Sequence, residues 1–215
     1  MFSIFAHEVK YYFKNRVEAI YIYSYLISII LIVPFAVAPG EGQLQALAPL
    51  TLWIALASAV TLGGMGLFVR DHDQGRLEYY QLLPISLESL VFAKWAAFYL
   101  FILAPLLVVL PLAAMLFGIP ASHIGHYAIG LAASAAALTM LTSLIAALMS
   151  GLEKAGAVLG LIVLPLTIPI MIFGTQYCRD FSTDWQSSLL FLLGFTVFFL
   201  PLTCIAGAYS IRAAN

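Results

Sequence analysis

Residues 86–118 read SLESLVFAKWAAFYLFILAPLLVVLPLAAMLFG, and from 95 onward the stretch carries no charge. About 20 apolar residues suffice to cross a bilayer, so this run is long enough to span one. Reading outward in both directions gives further apolar runs at about 19–38, 49–69, 127–150, 157–174 and 188–209, besides 95–118 itself. Six spans bring both chain ends to one side. Of the nine Lys and Arg residues, eight fall in alternate gaps: Lys10, Lys14 and Arg16 before the first run, Arg70, Arg76 and Lys94 between the second and third, Lys154 between the fourth and fifth, and Arg212 after the last. Only Arg179 lies in the other set. Cations resist translocation, so both termini are expected in the cytoplasm, with 39–48, 119–126 and 175–187 facing outward.

Composition agrees, because 63% of the 215 residues are apolar and 9% are charged, more apolar surface than a soluble domain of this size can hide. The expected fold is all-α, with six transmembrane helices in a single domain, 1–215. The net charge of −1 offers no basic field for nucleic acid. Cys178 and Cys204 are too few for a disulfide framework and read as incidental. A cationic start followed by Ala36-Val37-Ala38 resembles a secretion signal, but Pro39 would follow the cut and the apolar stretch is long enough to span. The first helix is therefore expected to stay as an anchor. Before it, Phe2, Phe5, Val9, Phe13 and Val17 recur at steps of three and four while His7, Lys10 and Lys14 take another face, which predicts an interfacial amphipathic helix over 2–17.

No span holds an Asp, Glu, Lys, Arg or His in its central turns. Ionisable groups inside a membrane mark proton relays, ion sites and catalysis, so a proton-coupled carrier, an intramembrane metalloprotease and a histidine-ligated haem carrier are all disfavoured. His123 and His126 lie three apart in a short outward loop, where transient contact with a metal or haem competes with simple solvation. No metal site is expected. None of the four lysines follows a glycine and no phosphate-binding Gly-x-x-x-x-Gly-Lys-Ser/Thr loop occurs, so the chain is not expected to hydrolyse nucleotide.

The spans carry packing and bending devices instead. Ala55, Ala59 and Gly63 form a small-residue stripe, Gly156 and Gly160 make a Gly-x-x-x-Gly, and residues 132–137 read Ala-Ala-Ser-Ala-Ala-Ala, all allowing close backbone approach. Pro105 and Pro111 interrupt the third span, Pro165 and Pro169 the fifth, and Pro201 the sixth. Each removes one intrahelical hydrogen bond and encourages a kink. Such irregularity is also common in membrane helices with no moving role.

The longest gap runs Arg70-Asp71-His72-Asp73-Gln74-Gly75, then Arg76-Leu77-Glu78-Tyr79-Tyr80-Gln81-Leu82-Leu83 and Pro84. Gly75 permits a turn and Pro84 discourages continuation, which leaves about two helical turns between them. Ser86 is a good cap for the helix that follows. Carried to Gly118, that helix is about 50 Å long against a hydrocarbon core of about 30 Å, so its first turns stand in the cytoplasm. A short helix of mixed apolar and charged residues fixed between two long spans suits a lever for a soluble partner, and it also suits a plain surface helix.

Within Phe68–Lys94, the residues Asp71, Gly75-Arg76-Leu77-Glu78, Leu82-Leu83-Pro84 and Ala93-Lys94 resemble the B subunit of the cytochrome c maturation haem exporter, the CcmB-type permease. So does Val163-Leu164-Pro165-Leu166-Thr167-Ile168-Pro169-Ile170-Met171-Ile172-Phe173, with two prolines at fixed places in an apolar run. One departure is Gln74, where that family commonly has Asp. The resemblance implies an ABC-2 exporter-like permease in a bacterial inner membrane. It implies a cytosolic ATP-binding-cassette subunit that uses the ATP, a second copy of this chain, further integral haem-handling subunits, and haem as the cargo. It also implies that segment 71–84 transmits ATPase motion, through Arg76, Leu77, Glu78, Tyr79 and Leu82 with Asp71 at its approach. A second reading keeps the ATPase but makes the chain a non-transporting scaffold that helps release a haem-loaded chaperone from a neighbour. A third, an ion-coupled secondary carrier, is disfavoured by the uncharged spans.

Overall fold

The computed structural model of the chain describes residues 2–14, 16–37, 43–68, 86–149, 155–179 and 185–213. These form α1 (Phe2–Lys14), α2 (Arg16–Ala36), α3 (Gln43–Gly64), α4 (Leu87–Phe117), α5 (Ile124–Leu148, entered through the 3-10 turn Ala121–His123), α6 (Ala155–Arg179) and α7 (Trp185–Ala213). There is no strand among the described residues. Six helices, α2 to α7, are long and apolar enough to cross a membrane, as the sequence leads one to expect.

The limits of α4 follow from local chemistry. Ser86 caps its start, the hydroxyl oxygen accepting from the Ser89 N–H at 3.3 Å. Gly118 ends it with φ +69°, and the N–H groups of Gly118 and Ile119 both return to the Ala114 carbonyl. The 31 residues between span about 46 Å, more than the hydrocarbon core requires. Elsewhere packing overrides composition. The helix α6 continues through Thr175–Arg179, beyond the apolar run that ends at 174, because Tyr177 and Cys178 are buried against Gly130 of α5.

At the centre stands α5, touching α3, α4, α6 and α7. Its small residues explain that position: Ala133, Ser134, Ala135 and Ala137 are all buried, so neighbouring backbones come close. Paired glycines let α3 face two ways. A Cβ on Gly63 would meet Phe98 of α4 at 2.8 Å and Ile22 of α2 at 3.4 Å, whereas one on Gly64 would overlap the Thr142 methyl of α5. Gly160 turns inward too, with Met65 and Thr61 its nearest neighbours, so that end of the Gly-x-x-x-Gly serves packing within the chain.

Pro105 and Tyr23 solve a problem together. Having no N–H, Pro105 leaves the Phe101 carbonyl without its helical partner, and the Tyr23 hydroxyl of α2 donates to that carbonyl at 3.0 Å. Tyr23→Phe should therefore cost about 0.6–1.7 kcal/mol, the range for interhelical hydrogen bonds in membranes. A shift in the midpoint of detergent-induced unfolding measures it.

The N-terminal helix is distinct from α2, but its buried face differs from the expected one. Glu8 and Tyr12 are buried, with Phe5 and Val9 packed beside them, so the stripe Phe5-Glu8-Val9-Tyr12 lies along α4. Val17 belongs to α2 and is exposed. A polar residue joins the buried face because α4 supplies its counter-charge.

Candidate functional site

Segment 69–85 lies outside the described residues, and with it Asp71, Arg76, Leu77, Glu78, Tyr79 and Leu82. The structure describes the frame from which that segment leaves and to which it returns. On the leaving side α3 ends in a turn, Leu67 N–H donating to the Gly64 carbonyl at 3.1 Å, and Phe68 is fully buried. On the returning side is the Ser86 cap.

Among the described residues, two charged pairs sit at this end of the bundle. Arg212 of α7 lies 3.5 Å from Glu88 in the first turn of α4 with both side chains largely exposed, a pair worth little on its own. The other is buried. Lys94 Nζ lies 3.3 Å from both carboxylate oxygens of Glu8, and both residues are 3% exposed. A charge at that depth is costly unless it is paired and hydrogen-bonded, which Glu8 and Lys94 supply to each other. Lys94 Nζ also lies 5.9 Å from the centre of the Phe68 ring, within reach of a cation–π attraction. One turn and two turns further along α4, Tyr12 stacks on Phe98 and Phe101, with centroids at 6.2 and 4.9 Å. Lys94 thus joins α1, the end of α3 and α4.

Glu8, Tyr12 and Phe68 were not singled out by the sequence reading as members of such a cluster, although Lys94 belongs to one of the resembling motifs. The helical spacing of Phe5, Glu8, Val9 and Tyr12 was the available signal. The pairing of positions 86 residues apart was not.

Two indole N–H groups in the bundle interior are paired with hydroxyls of α5. Trp53 Nε1 donates to Ser134 Oγ at 2.9 Å, and Trp95 Nε1 donates to Thr139 Oγ1 at 3.2 Å. With Trp53, Phe98, Phe101 and Leu138 fully buried, side chains fill the centre of the bundle. Pro165 and Pro169 lie on the outer side of α6, and the helix runs unbroken through both. Thr167, between them, returns its hydroxyl to the Leu164 carbonyl at 2.7 Å.

At the opposite end His126 is not a loop residue. It lies in the first turn of α5, its ring parallel to that of Tyr177 at 4.0 Å and edge-on to Trp185. Its Nε2 lies 2.6 Å from the Tyr177 carbonyl, one of the last four of α6, which have no helical donor. Carrying its proton on Nε2, His126 caps that helix. Among the described residues no three His, Cys, Asp or Glu side chains converge to hold a metal.

The family model described as CcmB protein matches residues 1–214. The chain belongs to the CcmB protein family. Heme exporter protein B of Pseudomonas aeruginosa is 34% identical over 211 residues, covering 97% of this chain and 95% of that protein. Heme exporter protein B of Paracoccus denitrificans is 31% identical over 191 residues, 88% of each chain, and that of Escherichia coli K12 is 33% identical over 172 residues, 80% of this chain and 78% of the relative. The CcmB match includes both resembling stretches, Phe68–Lys94 and Val163–Phe173. In this CcmB-family fold, Phe68 and Ser86 are the described residues that flank segment 69–85.

Proposed function

We propose that this chain is the membrane permease subunit of a haem-exporting assembly in the bacterial inner membrane, driven by a separate ATP-binding-cassette ATPase and serving cytochrome c maturation. The observation that carries the reading is its similarity, over most of both chains, to bacterial proteins named Heme exporter protein B. With no phosphate-binding loop in the sequence, the energy comes from the partner, and the chain itself is not an enzyme. Both termini are cytoplasmic, as the alternate placement of cations implies. Asp71, Arg76, Leu77, Glu78, Tyr79 and Leu82 form the ATPase-coupling surface, and the prolines of α6 allow it to bend as the assembly cycles. Two copies serve a pair of ATPases, alongside further integral haem-handling subunits.

The filled interior favours a particular form of this reading. Because Trp53, Phe98 and Phe101 occupy the centre of the bundle, haem travels along a surface between subunits and not through one copy. The scaffold reading shares that geometry, with haem held only on a neighbour. Haem found between two copies of this chain supports export, and haem found only on the neighbouring subunit supports the scaffold.

The test of coupling is purification of the assembly through this chain after mild detergent extraction. Wild type should bring down an ATPase. Glu78→Lys combined with Leu82→Asp should remain inserted yet lose most of that ATPase, because one change reverses a charge and the other puts a charge in place of an apolar side chain. Undiminished recovery would remove segment 71–84 from the interface.

A further inference from the structure

The six membrane-crossing helices are not alike on their outer faces. Among the described residues, every exposed position in the central turns of α3, α4, α5, α6 and α7 is apolar, glycine or proline, as at Ile54, Val108, Ile129, Ile168 and Phe198. The outer face of α2 differs. Tyr21 is 61% exposed and Tyr25 45%, and Ser24 and Ser28 are exposed beside them, so four hydroxyls stand where the other helices present hydrocarbon. Tyr21 lies near the start of α2 and can extend its ring toward the interface. Ser24 and Ser28 cannot, because they flank the midpoint of Arg16–Ala36 on short side chains. A hydroxyl held in lipid without a partner is costly.

The Ser28 hydroxyl donates to the Ser24 carbonyl at 2.7 Å, which uses its proton and leaves its lone pairs able to accept. The hydroxyls of Tyr21, Ser24 and Tyr25 have no hydrogen-bond partner among the described residues. A surface covering this face must bring acceptors for those three and a donor for Ser28. The same face on a second copy brings both. No exposed position between Val17 and Phe35 is charged, so nothing on the face selects an unlike partner of opposite charge.

Geometry agrees with the chemistry. A twofold axis along the membrane normal keeps both copies in the same orientation and brings residues of equal depth together, Ser24 against Ser24 and Ser28 against Ser28. The exposed residues Val17, Tyr21, Ser24, Ser28 and Phe35 follow the 3.5-residue spacing of a left-handed helix pair. At its centre the two serines are small enough for the backbones to approach.

We infer that the hydroxyl-bearing face of α2 is the contact between two copies of this chain in the membrane, held by hydrogen bonds among Tyr21, Ser24, Tyr25 and Ser28 of each. The inference deepens, and rests on, the two-copy part of the reading above.

The experiment is disulfide cross-linking in native membranes with the whole assembly present. Ser28→Cys, oxidised with copper phenanthroline, should convert most of the chain to a species of twice its mass. Wild type, with its own Cys178 and Cys204, should stay at single mass, as should Val108→Cys on the outer face of α4. Adding Y21F, S24A and Y25F to Ser28→Cys removes three hydroxyls and little shape. It should lower the cross-linked share about fivefold at equal oxidation time, the scale of one interhelical hydrogen bond in a membrane. A product joining Ser28→Cys to a chain of different mass would overturn the inference by giving the face an unlike partner. Single-mass protein throughout would overturn it by giving the face to lipid. An undiminished share after the hydroxyls are removed, or an equal share from Val108→Cys, would overturn it as well. ATPase recovery reports separately: a cross-linked pair that brings down no ATPase sinks the ATPase-driven reading and leaves the contact standing, whereas ATPase recovered without the cross-link sinks the contact alone.

Discussion

Lys94→Met, made alone, is expected to destabilise the protein by about 3–5 kcal/mol. Met keeps most of the length and apolar stem of Lys but removes the ammonium group that lies 3.3 Å from both carboxylate oxygens of the buried Glu8. The loss comes from removing one member of a buried charge pair, which costs more than the small net worth of the pair. Adding Glu8→Leu to the same chain should therefore recover most of the stability, a non-additivity characteristic of residues in contact. Unfolding by SDS titration in mixed micelles measures all three variants. A single Lys94→Met with wild-type stability would show that Glu8 is solvated in the working protein and that α1 does not lie on α4 as described.

Gly174→Val should be comparably severe for a different reason. Three helices meet at this position: a Cβ there would overlap the Trp53 indole nitrogen of α3 and sit 2.7 Å from Ser134 Oγ of α5. The substitution pushes apart a hydrogen-bonded pair in a filled core. Overpacking costs about 1–3 kcal/mol, and loss of the Trp53–Ser134 bond adds about 0.6–1.7 kcal/mol. The expected result is a lower unfolding midpoint with a shift in tryptophan emission. Gly194→Ala in α7 is the control, because nothing lies within 4 Å of its Cβ, and it should stay within about 0.5 kcal/mol of wild type. Equal effects at the two glycines would rule out the close approach at Gly174.

The six membrane helices were legible because bilayer thickness imposes their length and lipid imposes their composition. The ends of α4 were legible too, since Ser86 and Gly118 signal through their own backbone chemistry. Local reading failed where a distant partner decided the outcome. Thr175–Arg179 looks like a loop by composition, yet it is helical because Tyr177 and Cys178 pack on Gly130. His126 looks solvated until Tyr177, 51 residues away, supplies a ring and a carbonyl. The burial of Glu8 becomes intelligible only when Lys94, 86 residues away, is brought to it. The residues assigned to ATPase coupling were read from a motif resemblance and lie outside the described structure.

Proline in a membrane helix is ordinarily a joint that bends without hindrance. At Pro105 the released carbonyl is already grasped by Tyr23, so flexing α4 there means first detaching α2. The weak point behaves as a catch: idle thermal flexing is resisted, and a stroke strong enough to open it moves two rods in concert.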